Sequence, residues 1–338
     1  MLIKKTALKF NLYTLIAVYL LILVGGIVRS MEAGMGCPDW PKCFGAYVPP
    51  MDDSNLPAGY ESYYQEARIK KNVRLASVLT SLGFSQLSDK VLNDPMIASE
   101  TKFDVSKAWV EYINRLIGVV IGLFIIGNMV LAFAYRKTSL TIPIVGVVSF
   151  LLVLIQGWVG SLVVSTNLLP GFISFHMLLA MLLVMLLLYQ RYSMQGSKKA
   201  RLNQQWIVAF LLMLFVTQIF LGISIREDVD ILKATSDLSR SLWVDTFDWN
   251  FYVHRSGSIL LVALLGYFIF FNFQKASIRP VLVSLVGIVC VEILLGAIMS
   301  YFAIPRFAQP LHLLLALLSF GLLFYLFLGS QSNSNKAS

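Results

Sequence analysis

The sequence predicts an all-α integral membrane protein of eight transmembrane helices, arranged as two repeated four-helix bundles with both termini cytoplasmic. Three observations predict it. The 338 residues are 57% hydrophobic and only 13% charged, with a mean hydropathy of +0.75, far from the average soluble domain. Apolar runs of about 20 residues recur, the length needed to cross roughly 30 Å of hydrocarbon. The last four runs also repeat the motifs of the first four. Helices are expected rather than a barrel, because lipid satisfies no open backbone group and no alternating ten-residue pattern occurs.

In chain order the spans fall at 10–29, 109–134, 140–165, 172–192, 205–225, 251–273, 279–302 and 309–329. The first follows a short basic flank, MLIKKTALKF, with no small-residue cleavage site and no long Arg/Ser-rich transit segment. A bacterial plasma membrane is therefore expected. Next comes a long segment, about 30–108, that holds Cys37 and Cys43 in GCPDWPKC. On an oxidising outer side these two can form a bridge closing a small loop stiffened by Pro38 and Pro41; two unpaired loop thiols are the alternative. Farther along, YESYYQEARIKKNVRLASVLTSLGF (60–84) reads as an amphipathic helix after the turn residues DDSNLPAG. It suits a lid, a docking surface or a solvated insert. Cys290 lies inside a span, as a small buried apolar residue does.

The remaining spans pair across the repeat. LVGGIVR (23–29) matches FLGISIR (220–226) at an offset of 197, and EYINRLIG (111–118) matches FYVHRSGS (251–258) at 140. IQGWVGSLV (155–163) and FHMLLAMLLVMLLLY (175–189) match VEILLGAIM (291–299) and LHLLLALLSFGLLFY (311–325) at 136. The fall from 197 to 140 places about 57 extra residues in the first outer loop. Two halves follow: 1–200, with the long loop, and 201–338. Bundle interiors of this kind commonly hold cofactors between facing helices.

The net charge of +9 sorts by side. Twelve basic residues and no acid fall on the amino-terminal side: Lys4, Lys5, Lys9, Arg136, Lys137, Arg191, Lys198, Lys199, Arg201, Lys275, Arg279 and Lys336. Opposite them, 29–108 carries nine basic and ten acidic residues, and 226–250 carries three and six. This positive-inside bias sets both termini in the cytoplasm and removes the case for nucleic acid.

Three histidines, His176, His254 and His312, stand near the outer ends of even-numbered spans. Ionisable groups in a membrane are costly and mark function. His254 and His312 begin the second and fourth helices of the second half and can face each other across one bundle. Two imidazoles on opposite sides of a flat macrocycle give a six-coordinate haem suited to electron transfer; zinc would require more ligands than this depth supplies. Arg255, and its equivalent Arg115, can meet a haem propionate or snorkel to headgroups. In the first half the equivalent pair is Asn114 and His176. An amide is a weak iron ligand, so a haem there would be held by His176 with its other face open; Asn114 can instead satisfy local backbone groups. Glu111, one turn earlier, is placed as a proton donor or a stabiliser of a developing cation, or as an ion-pair partner of Arg115 at i,i+4. Gln156, Gln218 and Glu292, the deepest polar groups, each precede a glycine in an odd-numbered span and read as helix-packing residues.

With these residues in view the chain resembles the haem A synthase family, membrane enzymes that convert haem O to haem A for cytochrome oxidase. The resemblance covers all eight spans and rests on GGIVR, GMGCPDWPKC, EYINR, QGWVG, the FH of 175–176, the HR of 254–255 and the LH of 311–312. It implies a haem b held by His254 and His312, and a substrate haem O, product haem A, near His176. Glu111 and Asn114 are then the catalytic candidates, and Cys37 and Cys43 the outer cysteine pair that aids reduction or haem handling. Asn114 departs from the family, whose motif has His there. Partners would be haem O, the haem O synthase that supplies it, a quinol or thiol electron donor, cytochrome oxidase assembly and the bilayer; a homo-oligomer is compatible. A non-enzymatic membrane b-type cytochrome, passing electrons between quinone and an outer acceptor, explains His254 and His312 equally but gives Glu111 and the cysteines no task. A transporter would place polar groups at mid-membrane, whereas here they gather at the outer edge.

Overall fold

A computed structural model describes residues 2–331 except 35, 40, 94–101, 167, 197–201 and 203–204. Met35 and Trp40 of the cysteine motif, and Lys198, Lys199, Arg201 and Lys336 of the basic set, lie outside the described residues. Ten α-helices follow in order among the described residues: α1 Leu2–Ser30, α2 Tyr60–Ser81, α3 Ser85–Asn93, α4 Val105–Ala132, α5 Thr141–Ser165, α6 Pro170–Met194, α7 Gln205–Thr235, α8 Trp249–Asn272, α9 Arg279–Tyr301 and α10 Ala308–Gln331. Eight of them, all but α2 and α3, are long and apolar enough to cross a membrane, as the apolar runs predict. No strand occurs among the described residues beyond an isolated bridge between Cys43 and Ala46.

Local chemistry sets the boundaries. Pro280 stands in the first turn of α9, where a missing N–H leaves no bond broken. Cys290, expected to be buried, is exposed on the uncovered face of the same helix. The amphipathic helix expected over 60–84 ends earlier, at Ser81. There Gly83 takes φ +87°, its N–H reaches the Thr80 carbonyl and the Phe84 N–H reaches that of Leu79. This Schellman closure uses the one residue without a Cβ penalty, and the chain restarts as α3. Helix α7 runs past the apolar stretch expected to end at 225 and carries an Arg226–Asp230 ion pair at i,i+4 spacing.

Contacts divide the chain into two compact units. The first comprises 1–26, 123–151 and 181–338. Within it α7 packs on α8, α8 on α9, α9 on α10 and α10 on α7, closing a ring of four helices. The same unit holds a buried amide cluster. Asn11 Nδ2 (3.1 Å) and Asn128 Nδ2 (2.7 Å) both donate to Gln190 Oε1, and Gln190 Nε2 donates to the Ile142 carbonyl at 3.0 Å. One glutamine thereby ties α1, α4, α5 and α6 together where no water competes. Gly146 leaves the space for it, since a Cβ there would stand 3.1 Å from Gln190 Nε2.

The second unit comprises 27–122 and 152–180. Helix α2 buries one stripe, Tyr64, Arg68, Asn72, Ala76 and Leu79. Ala76, Leu79 and Val91 pack on Leu162, Leu169 and Phe172, which flank the α5–α6 turn. Asn72 Nδ2 donates to the Ser165 carbonyl at 2.9 Å, capping the end of α5. The long insert is thus docked on the helices rather than free of them.

Gln190→Leu should cost about 1–2 kcal/mol, the range for interhelical polar contacts in membranes, because it removes the acceptor that the Asn11 and Asn128 amides share. Unfolding in detergent, followed by circular dichroism against the parent chain, reads this directly.

Candidate functional site

His254 and His312 lie in the second turns of α8 and α10. Their ring centroids are 6.3 Å apart and their planes are inclined by 76°. Each residue is half-buried, yet each Nδ1 is fully buried and has no hydrogen-bond partner. The side of each ring nearest Cε1 rests on a glycine: a Cβ on Gly222 would stand 3.5 Å from His254, and one on Gly296 3.7 Å from His312.

This geometry fits a metal shared by the two rings. Imidazole nitrogens bind at about 2 Å, so one metal held between two opposed rings sets their centroids about 6 Å apart. Among the described residues no cluster of three or more His, Cys, Asp or Glu is placed to hold a metal ion. The pair therefore suits a group that brings its own equatorial donors, as a haem does. Arg255, one residue on, is exposed, and its Nη2 meets the Tyr301 hydroxyl at 3.3 Å.

The first-half residues form a different arrangement. Glu111 is 2% exposed. Its Oε2 accepts the Cys37 N–H at 2.8 Å, and its Oε1 pairs with Arg115. Arg115 Nη2 also donates to the Cys37 carbonyl at 2.6 Å, while Nη1 reaches the carbonyls of Asp39 and Lys42. The i,i+4 pair legible in the sequence is therefore real, and it does more than neutralise a buried acid: it fastens the cysteine loop to α4. Arg115 commits its outer nitrogens to this loop, unlike its repeat counterpart Arg255.

The loop is built for that contact. Cys37 and Cys43 are joined by a disulfide, so the bridged alternative holds and the free-thiol one does not. Asp39 accepts the N–H groups of Phe44 at 2.7 Å and Gly45 at 2.9 Å, supporting positive φ at both. Phe44 then sits edge-on to Tyr60, Tyr64 and Phe103. Gly36 passes so close to the Lys107 backbone that a Cβ would collide with it. Sequence reasoning missed both: Gly36 because Lys107 lies far along the chain, and Asp39 because its bonds to Phe44 and Gly45 depend on a positive-φ turn that spacing does not reveal. Burial, and then the Asp39 carboxylate, push the Tyr64 phenol up to about 12, so it stays neutral. Lys71, whose Nζ meets the Ser161 carbonyl at 3.4 Å, is held below its usual range by burial and then by the Arg115 charge.

Asn114 and His176 also belong to this unit. The Oδ1 of Asn114 and the Nδ1 of His176 are both buried without partners. His176 Cε1 lies 3.4 Å from the Cβ that Gly160 lacks, and Gln156 Nε2 donates to the His176 carbonyl at 3.0 Å. The structure thus pairs His254 with His312 directly, joins Glu111, Arg115 and the disulfide in one network, and leaves Asn114 with a free polar atom.

A family model described as cytochrome oxidase assembly protein matches residues 9–80 and 89–324. The heme A synthase of Shewanella oneidensis is 24% identical over 315 residues, covering 84% of this chain and 84% of that protein. The heme A synthase of Wolbachia pipientis wMel is 22% identical over 348 residues, covering 94% of this chain and 91% of its own. That of Pelagibacter ubique is 26% identical over 223 residues, 64% of this chain and 59% of its own.

Arg115→Lys keeps the charge but loses the planar fork that reaches Glu111 and the loop carbonyls together. It should lower stability by about 2 kcal/mol, the scale of a charge-assisted hydrogen bond lost from a buried acid. It should also speed reduction of Cys37–Cys43, read by maleimide labelling after a timed exposure to dithiothreitol.

Proposed function

The chain belongs to the family of cytochrome oxidase assembly proteins, and on that footing we propose that it is a haem A synthase. It oxidises the methyl group of haem O to the formyl group of haem A by two successive hydroxylations. Each inserts one oxygen atom from dioxygen, whose other atom leaves as water with two electrons from the donor; the geminal diol then loses water. The observation that carries the reading is the His254–His312 pair, 6.3 Å between ring centroids, in a chain matched to that family over most of its length.

The proposed organisation follows the repeat. Residues 1–200 hold substrate haem O near His176, and residues 201–338 hold a haem b through His254 and His312. Both termini lie in the cytoplasm of a bacterial cell and the cysteine loop lies outside, supported by the placement of basic residues. A bound haem b supplies one-electron transfer. His254 and His312 would hold it, and the exposed Arg255 would be placed to meet a propionate. In the first half His176 holds the substrate from one side. Asn114 stands on a helix face whose repeat counterpart bears His254, and its amide leaves the opposite side of the substrate iron open. Glu111, held by Arg115 and the Cys37 N–H, serves as a fixed carboxylate that stabilises positive charge as the methyl is oxidised. Arg115 acts through Glu111 and the loop rather than on a propionate. Haem O arrives from its synthase, and electrons come from a quinol or thiol donor.

Two outcomes test this. Expressed with a supply of haem O, the chain should yield haem A in extracted pigments, and Glu111→Ala should abolish it while the His254/His312 haem spectrum is retained. Absence of haem A from folded, haem-loaded parent protein refutes the enzyme. Asn114→His should convert the substrate haem to a six-coordinate low-spin form and slow its oxidation, visible as loss of the high-spin charge-transfer band.

A further inference from the structure

Each of the three histidines meets the preceding odd-numbered span in the same way. His176 of α6 lies on Gly160 of α5, His254 of α8 on Gly222 of α7, and His312 of α10 on Gly296 of α9. In every case ring Cε1 is the nearest atom, 3.4, 3.5 and 3.7 Å from where a Cβ would stand. One helical turn before each glycine is a polar residue: Gln156, Gln218 and Glu292. Four residues apart, the two share a helix face.

The polar residue in each pair engages the helix that carries the histidine. Gln156 Nε2 donates to the His176 carbonyl at 3.0 Å. Gln218 Nε2 lies against Gly257, three residues beyond His254, where any Cβ would collide with it. Glu292 Oε2 accepts the Ser319 hydroxyl, two turns beyond His312, at 3.2 Å. The backbone carbonyls of Gln218 and Glu292 lie beside His254 and His312, although neither Nδ1 meets them in hydrogen-bond geometry. The fourth quarter of the repeat supplies a contrast in sequence. At the offset of 197 that aligns α7 with α1, Leu21 stands where Gln218 stands and Gly25 where Gly222 stands. The quarter without a histidine is also the one without the polar residue.

We propose that Gln156/Gly160, Gln218/Gly222 and Glu292/Gly296 are histidine seats, positioning residues that fix the height and plane of each imidazole for axial ligation of a haem. The glycine admits the ring edge against the neighbouring helix. The polar side chain pins the histidine-bearing helix in rotation, so the opposite ring nitrogen points into the bundle. Packing alone would not require the two residues at one spacing in three helices and a side-chain contact to the histidine's helix each time, a hydrogen bond in two of the three. The proposal rests on the reading that His254 and His312 hold a haem.

The test uses full-length protein purified with its haem, examined by optical and electron paramagnetic resonance spectroscopy of the ferric state. Gly222→Val and Gly296→Val push γ-methyl groups into the ring edge. Each should lose most of the low-spin bis-imidazole signal to high spin. Gly266→Val in α8 and Gly287→Val in α9 face open space and should keep the parent signal. If the first two variants fail to accumulate, Gln218→Leu decides. It carries the residue of the fourth quarter, leaves the glycine free, and should retain haem with a shifted low-spin signal. A parent signal in Gly222→Val or in Gln218→Leu, or equal loss in Gly266→Val, overturns the seat. A low-spin signal that survives His254→Ala instead overturns the ligation reading itself, so the two failures are distinct.

Discussion

A histidine inside an apolar helix has nowhere to put its nitrogens. Hydrocarbon offers no partner, and an unpaired polar group there costs several kcal/mol, on the order of 2–7 by transfer measurements. His176, His254 and His312 all bear a buried, unpartnered Nδ1, and two of them face each other across a closed ring of four helices. The surroundings are consistent with support for that costly arrangement: glycines under the ring edges, polar side chains one turn away and, among the described residues, no third ligand to hold a bare ion. A group that completes its own coordination plane and takes the other nitrogen of each ring would offset that cost with a bond to each imidazole.

The first half differs because its local chemistry is tied to the cysteine loop. Glu111 and Arg115 sit on the repeat counterpart of the His254 turn, yet their side chains are committed to Cys37, Asp39 and Lys42. The insertion of about 57 residues supplies that loop and the α2–α3 cover that packs beside it. The chain therefore carries a pair of facing histidines at one place and an acid held against a disulfide at another. Asn114, with a buried Oδ1 that nothing satisfies, marks the point where the halves part.

Much of this was legible in the sequence, for physical reasons. The eight spans were, because long apolar runs leave a chain no other solution in lipid. The Glu111–Arg115 pair was, because i,i+4 spacing places side chains on one face. The end of α2 at Ser81 was not, since Gly83 can sit inside a run or close a helix, and only the Thr80 and Leu79 carbonyls settle which. The extension of α7 to Thr235 was hidden because its last turns are polar and held by an ion pair rather than by lipid. The helix-packing reading of Gln156 and Glu292 is borne out by their hydrogen bonds to the next helix; the histidine ring beside each lies on that other helix, and spacing along one helix does not reveal it. Arg115 and Arg255 occupy matching places in the sequence motifs but differ in chemistry, because Arg115 is committed to the cysteine loop while Arg255 meets the Tyr301 hydroxyl.

Under the proposed function, one half would close its iron between two imidazoles while the other would leave one face open. Electron paramagnetic resonance of the ferric, haem O-loaded protein tests it most directly. The account predicts one low-spin species, with the strong anisotropy expected of imidazole planes inclined by 76°, beside a high-spin species from the first half. Two low-spin haems and no high-spin component would contradict it.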